Sequence, residues 1–424
     1  LAPAECLDGR PSLSHLYETE VHWGVSLKSV CVYCGGNIAA ADDSEEHVIP
    51  AAIGGRRTVR GLLHSLCNNR AGHTWDAALE KQLRPLALHF GVKRQRGQTL
   101  RMAVTTTAGE AFLLGPGGAL DMARPEITRT ATPQGENIQV VAGSMGMARQ
   151  VLEGERRKNP AIDVEATLAT AQVRRSYAQG VVRLDLGFGG ELAGRSLVKS
   201  ALALAHDAGL SVDQCGDALT YLRHADGEPC FGYYYTADLV GGRRPDVPLH
   251  CVAIEANPRA GLILGYVEYF GTHRAVVCLG RSYTGDTVKS VYALDPRMGD
   301  VLDLTVRLDF DASDIAAIYN YDMDVPTGRQ EAFGNVFGPA LRAHQEAERD
   351  RVIKDAFDFA WVNCGAVENQ VLTPEHLMRI AQLFADRTTS WWRRVTGLDE
   401  PTARRHALAY AALVLRSAGG GQAV

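Results

Sequence analysis

Apolar positions recur at helical intervals in some stretches and alternate with polar ones in others, and this pattern divides the 424 residues. Over residues 68–90, Trp75, Leu79, Leu83, Leu86 and Phe90 fall at helical spacing, with Pro85 expected to separate a pair of helices. A helix is predicted over 194–208, carrying Leu197, Val198, Ala201, Leu204 and Ala205 on one face and capped by Gly209. A second follows over 213–223, and the tail predicts three more over 328–360, 373–396 and 401–416. Residues 100–107 and 111–114 flank Ala108-Gly-Glu as a hairpin, with short strands near Ile127 and over 138–141. Residues 144–158 have helical composition, and 181–186 alternate as a strand does. Strands are then expected at 250–255, 261–269, 274–279, 288–294 and 301–308, separated by turn residues, as in a mainly antiparallel sheet.

The fold class predicted is therefore α+β, with three regions. Residues 1–95 form a small zinc-containing ββα unit, 96–325 a central mixed α/β domain with a mainly antiparallel sheet, and 326–424 a helical C-terminal region. The first thirty residues lack periodicity and are expected to form a lead-in that packs on the zinc knuckle, and 91–97 form a basic connector. No internal repeat is apparent.

Composition narrows the class. Hydrophobic content of 46% and charged content of 22% are those of a globular protein, and no apolar run is long enough to span a bilayer. The start, Leu1-Ala-Pro-Ala-Glu-Cys-Leu-Asp, shows no secretory leader, and nine cysteines, six of them scattered, fit a reducing cytoplasm. Cys6, Cys215, Cys230, Cys251, Cys278 and Cys364 are expected as small buried hydrophobes. The formal charge of −5 argues against a protein coated in base for indiscriminate nucleic-acid binding. Yet from Arg56 to Arg96 nine basic residues face only Asp76 and Glu80, so Arg56, Arg57, Arg60 and Arg70 are candidate phosphate contacts; a solvated surface is the plainer reading.

The chemistry concentrates between residues 31 and 76. Cys31-Val-Tyr-Cys34 and His64-Ser-Leu-Cys67 are two ligand pairs with matching gaps, a donor set suited to a closed structural Zn²⁺ site. Four protein ligands leave that ion no open position for water, so catalysis falls to residues it positions. His47 follows Glu46, and an imidazole of pKa about 6.5 accepts a proton from water near neutrality. Glu46 and the amide oxygen of Asn68 can hold a hard cation such as Mg²⁺, with His73 as a further ligand.

This segment resembles the HNH endonucleases that carry a CxxC knuckle, a Glu-His-Val-Ile-Pro strand followed by Gly-Gly, and a Cys-Asn-Asn-x-x-Gly-x-x-x-Asp helix. Here these are Cys31 to Cys34, Glu46 to Pro50 with Gly54-Gly55, and Cys67-Asn68-Asn69-Arg70-Ala71-Gly72 with Asp76. The resemblance implies a ββα-metal fold that cuts phosphodiesters, His47 as general base, and Glu46 with Asn68 or His73 on the catalytic cation. His64 stands where the pattern usually has cysteine, an exchange zinc accepts. Asn68 and Asn69 both remain open as metal ligands.

Weaker signals lie elsewhere. Gly187-Phe-Gly-Gly190 precedes a helix but lacks the phosphate-loop lysine pattern; Arg195 and Lys199, one turn apart, read as a solvated pair more readily than as an anion site. Trp391-Trp392-Arg393-Arg394 suits packing more than base stacking. The expected activity is a metal-dependent endonuclease on DNA, with RNA left open, the larger domain selecting substrate or controlling activity. By analogy the setting is prokaryotic restriction or antiviral defence. The competing readings are a catalytically degenerate zinc-knuckle nucleic-acid-binding protein and a nuclease gated by a small ligand in the C-terminal region. Membrane partners are not expected, and oligomeric state is open.

Overall fold

The computed structural model describes residues 30–93, 101–133, 135–172, 177–184, 186–367 and 370–419. Residues 1–29 of the expected lead-in, with Cys6, and residues 94–97 of the basic connector lie outside the described residues. The first unit opens with a short antiparallel hairpin, β1 (Glu46–His47) and β2 (Thr58–Val59), in which Glu46 faces Val59 and His47 faces Thr58. Pairing this tight requires glycine at the turn: a Cβ on Gly55 would lie 1.7 Å from the Ile49 carbonyl oxygen. Then come α1 (Ser65–Ala71), one π-helical turn over Gly72–Asp76, and α2 (Ala77–His89).

The predicted break at Pro85 does not occur. Pro85 lies inside α2, whose flanking Leu83 and Leu86 are buried, and tertiary packing outweighs the lost backbone donor. The irregularity sits instead at Gly72–Asp76, where the wider turn re-aims the side chain of Asp76.

The middle of the chain forms a three-stranded sheet of β3 (Met102–Thr105), β4 (Ala111–Leu114) and β5 (Leu120–Met122), then the hairpin β6 (Glu126–Thr132) and β7 (Gly135–Val141). Helices α3 (Met145–Lys158) and α4 (Val164–Ala169) pack beside that hairpin. The alternating stretch 181–186 makes a single bridge, Thr106 to Val182, rather than a strand; residue 185 is not among those described.

The largest sheet is built around α5 (Glu191–Asp207) and α6 (Gly216–Arg223). It comprises β8 (Phe231–Tyr233), β10 (His250–Asn257), β11 (Leu262–Tyr269), β12 (His273–Arg281), β13 (Val288–Asp295) and β14 (Asp300–Leu302), with the two-residue β9 (Val240–Gly241) lying outside it. The order is β14-β13-β10-β11-β12-β8, antiparallel throughout. The expected strand over 301–308 is broken in two, because β15 (Thr305–Val306) leaves the sheet to pair with β9.

Period-2 alternation gives the sheet two apolar faces. Val252, Ile254, Val267 and Val277 face α5; Cys251, Ala253, Leu264 and Tyr266 face a second core that includes Ile315 and Ile318 of α7 (Ala312–Tyr319). The first face continues without interruption into Val48, Ile53, Leu62, Trp75 and Leu83 of the N-terminal unit. Helices α8 (Pro326–Val362), α9 (Pro374–Thr396) and α10 (Glu400–Gly419) close the chain, packed through Ala356, Phe384 and Ala407. No described helix is long and apolar enough to cross a membrane.

Candidate functional site

The four sequence-predicted zinc ligands come together. One ligand atom from each of Cys31, Cys34, His64 and Cys67 lies within 4.8 Å of the others. The knuckle forms because the N–H of Gly35, at φ +75°, donates to the Cys31 carbonyl, and the Cys31 N–H to the Gly36 carbonyl at 2.8 Å. His64 Nε2 donates to the Asn37 carbonyl at 2.9 Å, which leaves Nδ1 facing the Cys34 and Cys67 sulfurs at 3.4 and 3.9 Å. Arg223 of α6 holds the knuckle from outside, donating to the carbonyls of Cys31 and Val32. Burial raises the Cys34 thiol, but hydrogen bonds from the Gly36 backbone, Cys31, Cys67 and His64 bring it down to about 7. Cys67 is pushed up to about 12 by burial and the neighbouring thiols. Three crowded sulfurs beside one imidazole are a donor set that suits a soft divalent ion.

A second cluster lies behind β1. Glu46 is buried and its Oε1 accepts from Nζ of Lys199, a wholly buried side chain of α5. The same Nζ donates to Asp76 Oδ2 at 2.7 Å, and Ser196 Oγ donates to Asp76 Oδ1 at 2.6 Å. Glu46 is raised above the usual carboxylate range by burial and by Asp76, with Lys199 opposing. Lys199 ends above the ordinary lysine range: burial lowers it, and Asp76 and Glu46 more than reverse that. Two carboxylates share one ammonium, and Glu46 and Lys199 each hold their proton more tightly than usual.

The other predicted residues are placed as follows. His47, next along the strand, is half-buried. Asn68 Nδ2 donates to the Glu45 carbonyl at 2.9 Å and Ser44 Oγ at 3.1 Å, tying α1 to the entry of β1. Asn68 and Glu46 are thus engaged with different partners. Asn69 and His73 are exposed, and the residue of the π-helical turn that meets the Glu46 cluster is Asp76. Of the basic residues, Arg57 pairs with Asp207, Arg60 with Glu45 at 2.7 Å, Arg56 reaches the Lys93 carbonyl, and Arg70 lies over the Tyr33 ring.

Residues 31–84 match the HNH endonuclease family. Over this segment the chain is similar to HNH endonucleases. Domains of this family are generally nucleases, so the match implies nuclease activity on nucleic acid. No curated protein and no solved structure matches the chain significantly.

The solvated reading of Arg195 and Lys199 is overturned. Arg195 is buried over Tyr221 and donates to the His224 carbonyl at 2.7 Å, and Lys199 reaches into the HNH domain. Nothing in a helical face of otherwise apolar residues announces the carboxylates that meet Lys199. The one available signal is a lysine on the buried stripe, which demands paired acids. The Gly187–Gly190 loop is held by Gln82, which bonds both the N–H and the carbonyl of Gly189. Trp391 is buried as a packing residue, as expected.

Proposed function

We propose that this protein is a divalent-metal-dependent endonuclease acting on DNA, with residues 1–95 as the nuclease unit. Residues 96–325 then select substrate or control activity, and 326–424 pack on that body. The supporting observation is the convergence of Glu46 from the hairpin and Asp76 from the helix on one cationic point, with His47 one residue away. On this reading His47 is the general base, acting on water at the phosphate. Glu46 and Asp76 hold the cation, Asp76 taking the role expected for His73, while Asn68 contributes by fixing the strand that presents His47. A bound Mg²⁺ would stabilise charge on the pentavalent phosphate and the leaving oxygen. The Cys31, Cys34, His64 and Cys67 set holds zinc as a staple. Arg56, Arg57, Arg60 and Arg70 supply phosphate contacts, the salt-bridged ones by exchanging an acid for the backbone. A prokaryotic restriction or antiphage role in the cytoplasm fits such an enzyme.

The experiment is plasmid cleavage with Mg²⁺ or Mn²⁺, with and without EDTA, by wild type and His47→Ala. The expected result is EDTA-sensitive cleavage that falls by at least about 100-fold in His47→Ala, with zinc content unchanged. Equal behaviour of both proteins across metals and substrates overturns the reading. A second reading, binding of nucleic acid by a degenerate site, is favoured by the pairing of Glu46 with Lys199; retention of DNA without cleavage in any metal would select it.

A further inference from the structure

Lys199 belongs to α5 of the central domain, 153 residues from Glu46 and 123 from Asp76 in sequence. Its side chain is 0% exposed, against 4% for Glu46 and 17% for Asp76, so Asp76 is the most exposed of the three. The ammonium sits where the two carboxylates aim, held by both of them, and Ser196 fixes the second oxygen of Asp76. A Mg²⁺-type ion needs carboxylate oxygens at about 2.1 Å. An ion on the same oxygen lone pairs would fall inside the van der Waals envelope of the ammonium.

We propose that Lys199 is a competitor for the catalytic cation: its ammonium and a divalent ion are mutually exclusive occupants of the Glu46–Asp76 pair, so the central domain sets the metal affinity of the nuclease. This rests on the reading that Glu46 and Asp76 are the cation ligands. Binding of the ion requires the Lys199 ammonium to leave its two partners, by movement of α5 relative to β1 or of the side chain itself. The charge balance favours the exchange once it is sterically allowed, because two carboxylates are half-neutralised by one ammonium and fully neutralised by one divalent ion.

The test is direct Mn²⁺ titration of the zinc-loaded full chain, read by the electron paramagnetic resonance signal of free Mn²⁺. Wild type, Lys199→Met and the double variant Lys199→Met/Glu46→Gln are compared. The expected result is at least tenfold tighter Mn²⁺ binding in Lys199→Met, lost again in the double variant. Equal affinity in wild type and Lys199→Met overturns the proposal, as does tighter binding that survives Glu46→Gln. If Lys199→Met does not fold without divalent ion, circular dichroism during Mn²⁺ addition is the readout. Recovery of the native spectrum supports the competition, and a spectrum that stays unfolded at millimolar Mn²⁺ overturns it. None of these measurements involves cleavage, so a cleaving wild type with unchanged Mn²⁺ affinity in Lys199→Met would remove this inference and leave the nuclease reading standing.

Discussion

Two clusters of polar side chains flank the same short hairpin, and they are built on opposite terms. The thiol–imidazole corner gathers Cys31, Cys34, His64 and Cys67 from one stretch of chain, half-exposed and made of soft donors. The carboxylate corner gathers Glu46 and Asp76 around Lys199, almost wholly buried, made of hard charges, and closed by a residue from a distant region of the fold. The first pins the HNH domain to itself. The second, with Arg223 on the knuckle and His250 on Ile53, pins it to the central sheet. A hairpin whose buried acids share a lysine from a helix of the central region is not an autonomous module, whatever its motif suggests.

The largest effect that can break this comparison is removal of zinc. Structural zinc contributes on the order of 10 kcal/mol to small fingers. Cys34→Ser, or a strong chelator, is therefore expected to release the knuckle and α1. Hydrogen exchange should then accelerate at Cys31, Gly35 and Asn68, whose amides are held within the corner, while β10, β11 and β12 keep their protection. Loss of protection in the sheet to the same degree would show that the corner is not local, and the contrast would collapse.

Next in size is an asymmetry within the carboxylate corner. Lys199→Met leaves two acids facing each other without a cation, and removing one side of a buried ion pair costs about 3–5 kcal/mol. Glu46→Gln leaves Lys199 still paired with Asp76 and still able to donate to an amide oxygen, so its cost should stay within about 1.5 kcal/mol. Denaturant unfolding of the zinc-loaded variants measures both. Equal costs would mean that the excess negative charge is compensated by something other than Lys199.

How far the sequence disclosed these features follows from the same contrast. The Cys31, Cys34, His64 and Cys67 cluster is legible because ligand spacing is a local property of a short loop. The helix at 191–207 and the strands from 250 to 295 are legible because burial imposes a period of 3.6 or 2 on neighbouring residues. The role of Lys199 is not, since its partners are set by how α5 docks on β1, and its place on the buried stripe says only that acids must meet it, not which. Pro85 misleads for a related reason: its penalty is local, but Leu83 and Leu86 on either side are held by a core that extends to the sheet. Asp76 lies inside the recognised motif, yet only the π-helical turn reveals that it, rather than His73, turns toward Glu46.

The smallest effect concerns the seam between the two regions and is driven by pH. His250, wholly buried on β10, donates from Nε2 to the Ile53 carbonyl at 2.9 Å and accepts at Nδ1 from the Phe270 N–H at 3.0 Å. Both nitrogens are committed to the neutral ring, and a second proton would displace the Phe270 bond. Burial accordingly lowers its pKa from 6.5 to about 4. A depressed histidine stabilises the fold above its unfolded pKa, and that stability is lost as pH falls from 6.5 toward 4, by about 1.4 kcal/mol per pH unit. His273, stacked on Phe188 and lowered to about 3 by burial and by Arg329, contributes with the same sign. Glu46 works against them: its raised carboxyl gives stability that is lost as pH climbs above 4.5, so it flattens the profile in the shared window. Unfolding free energy measured between pH 6.5 and 5 should therefore fall less steeply in His250→Asn than in wild type, by about one proton's worth of slope. An identical slope would mean that the seam yields before the ring is protonated, and that the HNH domain is held on the sheet by apolar packing and charge alone.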